Sequence, residues 1–296
     1  MARAQKLAPP KLATRACANY LKLMNQIKSI PRRSDKKPKP PLKCAEVISS
    51  TRLTPNMQRI VLGGPDVAGF TPDRAGANLK ICVPDTGIAP SQFREVLNDN
   101  SAPKRLRTFT VQSSDPVAGT LTVDFALHEP VGHAPAGDWA RAAQPGDLLG
   151  YRGPSDKKLT RFEADTYILV ADMTALPAIA AILADMPRDA VGHAFIEITQ
   201  PEDAQNLDAP EGIEINWLVH PDPSQASRQA IDAVKALPVS RSCQVAVIGE
   251  HSVVATLKDY FFGELGLDPD ANYISPYWKI GLVEEEHQAL KKSERG

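Results

Sequence analysis

Short hydrophobic runs separated by turn residues occupy the chain from about residue 44 to residue 153. Alternating and β-branched runs of this length are typical of strands that bury one face. Clusters such as Gly63-Gly64-Pro65 and Pro145-Gly146-Asp147 supply the turns between them. The pattern predicts about six strands that close into an antiparallel, Greek-key barrel. The predicted strands are CAEVIS, MQRIVLGG, ANLKICVP, RTFTVQ, GTLTVDFALH and DLLGYRG.

The pattern changes after about Thr160, where continuous apolar runs alternate with helical segments. TYILVAD suits a strand buried on both faces, and TALPAIAAILADM suits a helix that carries Pro177 in its first turn. The segments GHAFIEIT, GIEINWLVH and CQVAVIGE predict further strands, and SRQAIDAVKAL and SVVATLKDYFFGEL predict further helices. This half is therefore predicted to be a doubly wound α/β domain, and ligands of such sheets bind at the carboxyl ends of the strands. The fold class is α+β with two domains.

Residues 1–43 differ sharply from the rest in charge. They contain twelve Lys or Arg against one acid, Asp35, although the net charge of the 296-residue chain is only −1. Apolar residues at helical spacing between Ala13 and Ile30 predict an amphipathic helix, and PRRSDKKPKPP predicts a linker. Such an arm either stays solvated or binds nucleic acid, acidic lipid, an acidic partner or the acidic body itself. We expect no nucleic-acid partner.

Bulk properties restrict the class of protein further. No apolar run reaches the roughly 20 residues of a membrane-spanning helix, and the N-terminus does not resemble a secretory signal. Four widely spaced cysteines and six dispersed histidines predict no metal held by the protein. We expect a cytoplasmic monomer without a membrane span. The predicted segments are a basic arm 1–43, a barrel 44–160, an α/β domain 161–279 and a helical extension 280–296.

Several motifs carry a resemblance to a known family. Arg107-Thr108-Phe109-Thr110 resembles the R-x-Y-[TS] strand of ferredoxin-reductase-like flavoproteins, in which a barrel precedes an α/β domain. With the motifs that follow, the chain is similar to the siderophore-interacting proteins, FAD-dependent ferric-siderophore reductases, over about residues 44–280. These motifs are DFALH at 124–128, GDWA in a short helix at 137–140, PGD at 145–147, GP at 153–154, ADMTALPAI at 171–179, GE at 249–250 and PYWK at 276–279.

The resemblance implies an FAD site between barrel and sheet. It places the ring of Phe109 on the isoalloxazine, the hydroxyl of Thr110 near flavin N5 and Arg107 at the pyrophosphate. His128 either donates to the same region or is an ordinary polar residue at a strand end, and Trp139 covers the adenine or fills the barrel mouth. The implied cofactor-binding residues are Arg107, Phe109, Thr110, Asp124, Phe125, His128, Trp139, Thr174, Glu250 and Trp278.

Three of these residues lie in the α/β domain, and two of the three, Thr174 and Glu250, have a simpler alternative interpretation. Thr174 opens a helix at a strand end, where amide groups favour the phosphates of a nicotinamide cofactor, or it merely caps that helix. Glu250 either belongs to the family's GE turn or faces solvent. No GxGxxG fingerprint is present, which argues against an ordinary dehydrogenase but not against this superfamily.

The resemblance also implies an open basic pocket for an anionic ferric siderophore. Lys80 matches a lysine that the family carries on the third barrel strand. The family has a basic residue just after Gly153-Pro154, where this chain has Ser155, so Lys157 or Lys158 is expected to take that role. The alternative is that Lys80 is an ordinary charged residue of a strand and that Lys157 and Lys158 are a solvated pair. The predicted substrate-binding residues are Lys80, Lys157, Lys158 and Lys279. We expect no catalytic acid, base or nucleophile.

Departures from the family pattern leave the electron donor open. Phe109 replaces the usual tyrosine, Met173 replaces a glutamate and Gln112 replaces an arginine. The resemblance implies electron flow from NADH, NADPH or reduced ferredoxin through FAD to Fe(III) in the siderophore. Alternatives are a flavin reductase or diaphorase that serves a redox partner, and a non-enzymatic protein that binds siderophore or nucleic acid through its basic arm.

Overall fold

The computed structural model describes residues 40–67, 70, 74–85, 87–99, 101, 104–128, 134–157 and 159–282. The predicted N-terminal helix and linker, Lys158, and residues 283–296 of the C-terminal extension lie outside the described residues. The chain divides into two units, residues 1–40 and residues 41–296. The barrel and the α/β sheet both belong to the second unit.

The predicted antiparallel barrel is confirmed. Within the described ranges its strands are β1 Lys43–Thr54, β2 Met57–Gly63, β3 Asn78–Cys82, β4 Arg107–Asp115, β5 Thr120–Ala126 and β6 Leu148–Arg152. They pair in the order β1-β2-β5-β4-β3-β6, and β6 pairs back with β1 to close the barrel. Alternate side chains point inward and form an apolar core in which Leu79, Phe125 and Tyr151 are fully buried.

Two short helices accompany the barrel. Helix α1, Pro90–Asn98, was not predicted, and it packs Phe93 and Leu97 on the barrel wall. Gly150 of β6 makes room for it, because a Cβ at that position would lie 2.4 Å from Leu97 Cδ2. Helix α2, Pro135–Ala142, is the short helix implied by the GDWA motif, and it covers one end of the barrel core.

The predicted parallel sheet is also confirmed. Its strands are β7 Thr166–Ala171, β8 Val191–Ile198, β9 Gly212–Val219, β10 Cys243–Glu250 and β11 Tyr273–Trp278, in the order β11-β10-β7-β8-β9. Its helices are α3 Leu176–Asp185, α4 Gln229–Ala236 and α5 His251–Lys258. Helix α3 packs on one face of the sheet, and α4 and α5 pack on the other. Among the described helices, none is both long and apolar enough to cross a membrane.

Strand β11 was not predicted as a strand, because it contains Pro276 and lacks a continuous apolar run. A proline is tolerated there since β11 is at the edge of the sheet and pairs with β10 alone within the described sheet. This edge position matters for function, because it carries Tyr277 and Trp278 to the junction with the barrel.

A buried carboxylate joins the barrel to the sheet. Asp203 ends a 3₁₀ turn, Pro201–Asp203, that follows β8, and the residue is 0% exposed. Its oxygens accept hydrogen bonds from Thr54 Oγ1 at 2.8 Å, Asn56 N at 2.9 Å and Asn56 Nδ2 at 2.8 Å. Thr54 and Asn56 belong to the β1–β2 hairpin, so Asp203 anchors that hairpin to the α/β domain.

Candidate functional site

A solvent-open cleft lies where the barrel meets the carboxyl edge of the sheet. Leu127 and His128, which follow β5, form its barrel side, and the ends of β7, β8, β10 and β11 form its other side. This is the edge at which parallel sheets bind their ligands. Four residues of the predicted site come together here, and they are His128, Thr174, Glu250 and Trp278.

Two carboxylates of the cleft are fixed by hydrogen bonds from its own walls. Asp172 accepts from Thr174 N at 2.8 Å and Thr174 Oγ1 at 2.6 Å through Oδ1, and from Trp278 Nε1 at 2.7 Å through Oδ2. Glu250 caps helix α5 by accepting from Ser252 N at 2.6 Å. Thr174 is therefore not the cap of α3; that position is Ala175, and Thr174 holds Asp172 in place.

A third carboxylate, Glu197, stands at the end of β8. It accepts a hydrogen bond from Ser227 Oγ, and burial raises its pKa above the ordinary range. Burial also lowers the pKa of His128, against an opposing effect of Asp172, so this imidazole is neutral at neutral pH. Among the described lining residues there is no Lys or Arg. The basic pocket expected for the substrate is therefore not this cleft, which is acidic.

Gly249 permits the close approach of β10 to Asp172. Its φ is +143°, and an added Cβ would lie 2.5 Å from Asp172 Oδ2. We expect Gly249→Ala to push Asp172 away from Trp278 Nε1 and to lower the free energy of unfolding by about 2 kcal/mol or more. Urea unfolding and the tryptophan emission spectrum measure the two effects.

Gly263→Ala is the matched control, because nothing lies within 4 Å of its added Cβ and its φ is not in the left-handed region. Equal stability loss in the two variants would show that the contact with Asp172 does not explain Gly249.

An aromatic row supports the predicted flavin strand β4. The ring centroids of Phe109 and Phe125 are 4.4 Å apart, and those of Phe125 and Trp139 are 5.9 Å apart. Phe125 is 0% exposed, so its side chain acts from inside the barrel, whereas Phe109 and Trp139 are only partly buried. Phe125 thus holds the two rings that remain accessible to a ligand.

The next residue on β4 offers a buried polar atom. Thr110 is 3% exposed, and its hydroxyl lies close enough to that of Tyr277 to act on the pKa of the tyrosine, which burial raises. Asn78 lies opposite it on β3, and Tyr277 OH of β11 donates to Asn78 Oδ1 at 3.5 Å. The rings of Phe109 and Trp139, which are only partly buried, offer the apolar surface on which an isoalloxazine ring stacks. The residues present therefore fit FAD beside β4.

Two further residues of the predicted cofactor site, Asp124 and Arg107, make hydrogen bonds within the protein. Arg59 binds Asp124 through two nitrogens, at 2.8 Å and 2.7 Å, across β2 and β5. Asp124 is buried, so its carboxylate serves this pair, and direct contact with FAD stays a prediction. Arg107 is partly buried at the start of β4 and donates to the carbonyl of Leu106 at 3.4 Å. Its role at the pyrophosphate also stays a prediction.

A basic pair lies on the outer face of the barrel. Lys80 of β3 is directly opposite Thr108 on one side and Arg152 on the other, and its ammonium donates to Thr108 Oγ1. Arg152 was missed from the sequence; its Nε is buried and has no hydrogen-bond partner among the described residues. Its place at the end of the last barrel strand, just before Gly153-Pro154, was the available signal.

The other predicted substrate lysines are arranged differently. Lys157 Nζ forms an ion pair with Asp185 Oδ2 at 2.5 Å, which holds it against the end of helix α3. Ser155 Oγ accepts from Asn78 N at 3.2 Å, so it serves the backbone of β3. Lys279 is partly buried directly after β11. Lys158 lies outside the described residues, and the substrate roles of all three lysines stay predictions.

Comparison with known proteins decides the family. The barrel, residues 46–158, matches the model of the siderophore-interacting FAD-binding domain, and residues 164–281 match that of the siderophore-interacting protein. The chain belongs to the siderophore-interacting protein family. Its first domain is thereby an FAD-binding barrel, in agreement with the fit of β4 to this cofactor.

The chain is similar to curated and solved relatives over most of its length. It is 34% identical to ferric vibriobactin reductase ViuB of Vibrio cholerae over 241 residues, which cover 79% of this chain and 88% of ViuB. It is 31% identical to the siderophore-interacting protein SipS of Aeromonas hydrophila, with a TM-score of 0.75 and coverage of 88% and 100%. The ferredoxin reductase of carbazole 1,9a-dioxygenase shares the fold alone, at 20% identity and a TM-score of 0.58 over 81% of this chain and 69% of that one.

Proposed function

We propose that this family member is an FAD-dependent reductase of ferric siderophores. Electrons from NADH, NADPH or reduced ferredoxin reach FAD and then Fe(III) in the siderophore, and Fe(II) is released for iron assimilation. The observation that carries the proposal is on one face of the barrel wall. There Thr108, which accepts from Lys80, and the basic pair Lys80–Arg152 lie side by side on the neighbouring strands β4, β3 and β6.

The side chains have binding roles in this reaction. Phe109 packs on the flavin ring, Thr110 donates to a ring acceptor, and Arg107 neutralises the pyrophosphate. Lys80 and Arg152 attract the anionic chelate to the neighbouring surface. The family relative named ferric vibriobactin reductase supports this assignment. No proton transfer by the protein is required, because the substrate changes only its iron oxidation state.

Bound FAD supplies the redox chemistry, since it accepts two electrons together and releases them one at a time. Two Fe(III) chelates are therefore reduced for each two-electron donor consumed. Fe(II) carries less charge than Fe(III) and is held less tightly by hard oxygen ligands, so reduction frees the metal from the siderophore.

Anaerobic titration of the purified protein tests the proposal. We expect a yellow protein whose flavin is bleached by an electron donor and regains its colour when ferric hydroxamate or ferric catecholate is added, while a chelator of Fe(II) traps the product. A protein that takes up no FAD would exclude the reductase. Reduction of dyes without reduction of ferric chelates would favour a diaphorase instead.

Phe109→Ala is expected to weaken FAD binding by about tenfold, because it removes the partly exposed ring above Phe125 and a stacking contact of roughly 1.5 kcal/mol. Recovery of flavin fluorescence on dilution measures the dissociation constant. Phe109→Tyr is the matched control, since it keeps the ring and restores the residue that is usual in the family. If the alanine variant retains FAD as tightly as the tyrosine variant does, Phe109 does not contact the flavin.

A further inference from the structure

We propose that Asp185 is a specificity-determining residue, which holds Lys157 away from the substrate surface and so limits the preference of the protein for strongly anionic ferric chelates. The substrate surface is the outer face of the barrel at Lys80, Thr108 and Arg152. This inference rests on the proposed reductase function and deepens it, because it concerns the charge of the siderophore that the reductase takes.

Lys157 lies near the substrate surface, in a segment that runs beside strand β3. Ser155 N donates to Asn78 O at 2.9 Å, and Asn78 N donates to Ser155 Oγ at 3.2 Å. Asn78 and Lys80 point to the same face of β3, because side chains alternate along a strand. The Cα atoms of Lys157 and Lys80 are therefore at most about 20 Å apart, and their side chains span part of that distance. Charges at such a separation interact at low ionic strength.

The ammonium group of Lys157 is held in an ion pair with the last residue of helix α3. Its Nζ lies 2.5 Å from Asp185 Oδ2, and the lysine side chain is only 19% exposed. A partly buried pair is screened less by salt than an exposed pair. The carboxylate therefore cancels the charge of Lys157 and directs its ammonium group toward α3. The substrate surface keeps the charges of Lys80 and Arg152 and does not gain a third.

A solvent-open pocket adjoins this ion pair. Lys157 and Asp185 are the charged residues of its described lining, and the other described lining residues are small, aliphatic or tyrosine. Asp156, the neighbour of Lys157 in the chain, lies 3.4 Å from Arg74 instead. Within the described lining, Lys157 thus has no carboxylate other than Asp185 to bind. Without the charge of Asp185, its ammonium group can turn from the pocket toward the substrate surface.

Charge distinguishes two chemical classes of ferric siderophore. A catecholate arm brings more negative charge to Fe(III) than a hydroxamate arm does, so a triscatecholate complex is strongly anionic and a trihydroxamate complex is neutral. An added cation strengthens the binding of the anionic complex by Coulomb attraction and leaves the binding of the neutral one nearly unchanged. Asp185 therefore sets the ratio of the two affinities rather than the affinity for ferric chelates in general.

Calorimetry with redox-inert chelates and the FAD-loaded protein tests the inference. The probes are the gallium(III) complexes of enterobactin, a triscatecholate, and of ferrichrome, a trihydroxamate. We expect Asp185→Asn to lower the Kd for the triscatecholate by about threefold to tenfold at low ionic strength and to leave the Kd for the trihydroxamate unchanged. The gain should shrink as salt is added. An unchanged ratio of the two Kd values would overturn the inference.

Asp232→Asn is the matched control. It also removes a carboxylate from an ion pair, with Arg228 at 3.1 Å, but Asp232 is on helix α4 against the opposite face of the sheet. Equal FAD content and equal urea midpoints verify that both variants are folded. A shift of the Kd ratio in Asp232→Asn as large as that in Asp185→Asn would show that net charge alone explains the gain, which overturns the role of Asp185.

The double variant Asp185→Asn/Lys157→Gln tests whether Lys157 is the cation that is released. In the Lys157→Gln background we expect Asp185→Asn to improve triscatecholate binding by less than about twofold, because only the loss of a distant carboxylate remains. An equal gain in the two backgrounds would show that Asp185 acts on the chelate directly and not through Lys157.

Failure of this inference is distinguishable from failure of the proposed function. Protein reduced with dithionite, then freed of reductant, is mixed with ferric ferrichrome. Release of Fe(II) supports the reductase whatever the Asp185 variants show. If no electrons reach the chelate, the reductase proposal fails, while the gallium affinities still measure the effect of Asp185. If neither gallium complex binds, the inference is overturned, because the barrel face is then not a chelate site.

Discussion

Lys80→Glu is expected to raise the KM for an anionic ferric siderophore by about tenfold or more while FAD content stays unchanged. The reason is the position of Lys80 on the outer barrel face, directly opposite Arg152, where it attracts a negatively charged chelate. Steady-state reduction of ferric siderophore at low ionic strength measures the change. The effect should shrink with added salt and should be small for an uncharged ferric chelate.

Arg152→Gln should act in the same direction, because Arg152 on β6 is directly opposite Lys80 on β3 and shares the outer face of the barrel with it. Arg152→Gln removes one positive charge, whereas Lys80→Glu reverses one. We therefore expect Arg152→Gln to raise KM by roughly threefold to tenfold. Arg94→Glu is the control for both variants, since Arg94 is exposed on α1 in the same domain. Unchanged KM in Lys80→Glu, or an equal rise in Arg94→Glu, would remove the basic pair from the substrate site.

Asp203→Ala is expected to lower the free energy of unfolding by about 3 kcal/mol or more. The substitution leaves the buried Thr54 Oγ1 and the half-buried Asn56 N and Asn56 Nδ2 without their acceptor. It also removes the 3.2 Å hydrogen bond from Gln200 N within the 3₁₀ turn. Urea unfolding measures the loss, and we expect weaker FAD retention as well, because the hairpin and the α/β domain lose their shared anchor.

Glu202→Ala provides the matched comparison for Asp203→Ala, because Glu202 is the exposed neighbour in the same turn. Asp203→Asn should be intermediate, since it keeps acceptor capacity on one side-chain atom and loses it on the other. A loss below about 1 kcal/mol in Asp203→Ala would contradict the role of this carboxylate, given the free energy associated with a single buried hydrogen bond.

Strands were more predictable than the short elements around them. The barrel strands alternate apolar and polar residues, and the central sheet strands are continuous apolar runs, so both are legible in the sequence. Helix α1 buries only Phe93 and Leu97, and edge strand β11 contains Pro276, so neither pattern indicates its structure. Tertiary contacts on one side are what stabilise these two elements.

The predicted substrate-binding residues were likewise only partly predictable from the sequence. The sequence drew attention to Lys157 because it follows Gly153-Pro154 closely, but the folded chain pairs it with Asp185, 28 residues further on. Arg152 and Lys80 are distant in sequence and adjacent in space through the pairing of β3 with β6. Sequence proximity therefore pointed to Lys157 or Lys158, whereas the register of β3 and β6 places Arg152 beside Lys80.

Taken alone, the sequence determined the succession of a barrel and a parallel sheet, the strand that begins at Arg107 and the family resemblance, because each depends on local periodicity or on residues close together in the chain. The charge of the cleft, the neighbour of Lys80 and the buried anchor at Asp203 are set by the folding of the chain and are not visible in the sequence. These features depend on which side chains from distant strands share one surface, and the packing of the barrel against the carboxyl edge of the sheet sets that arrangement.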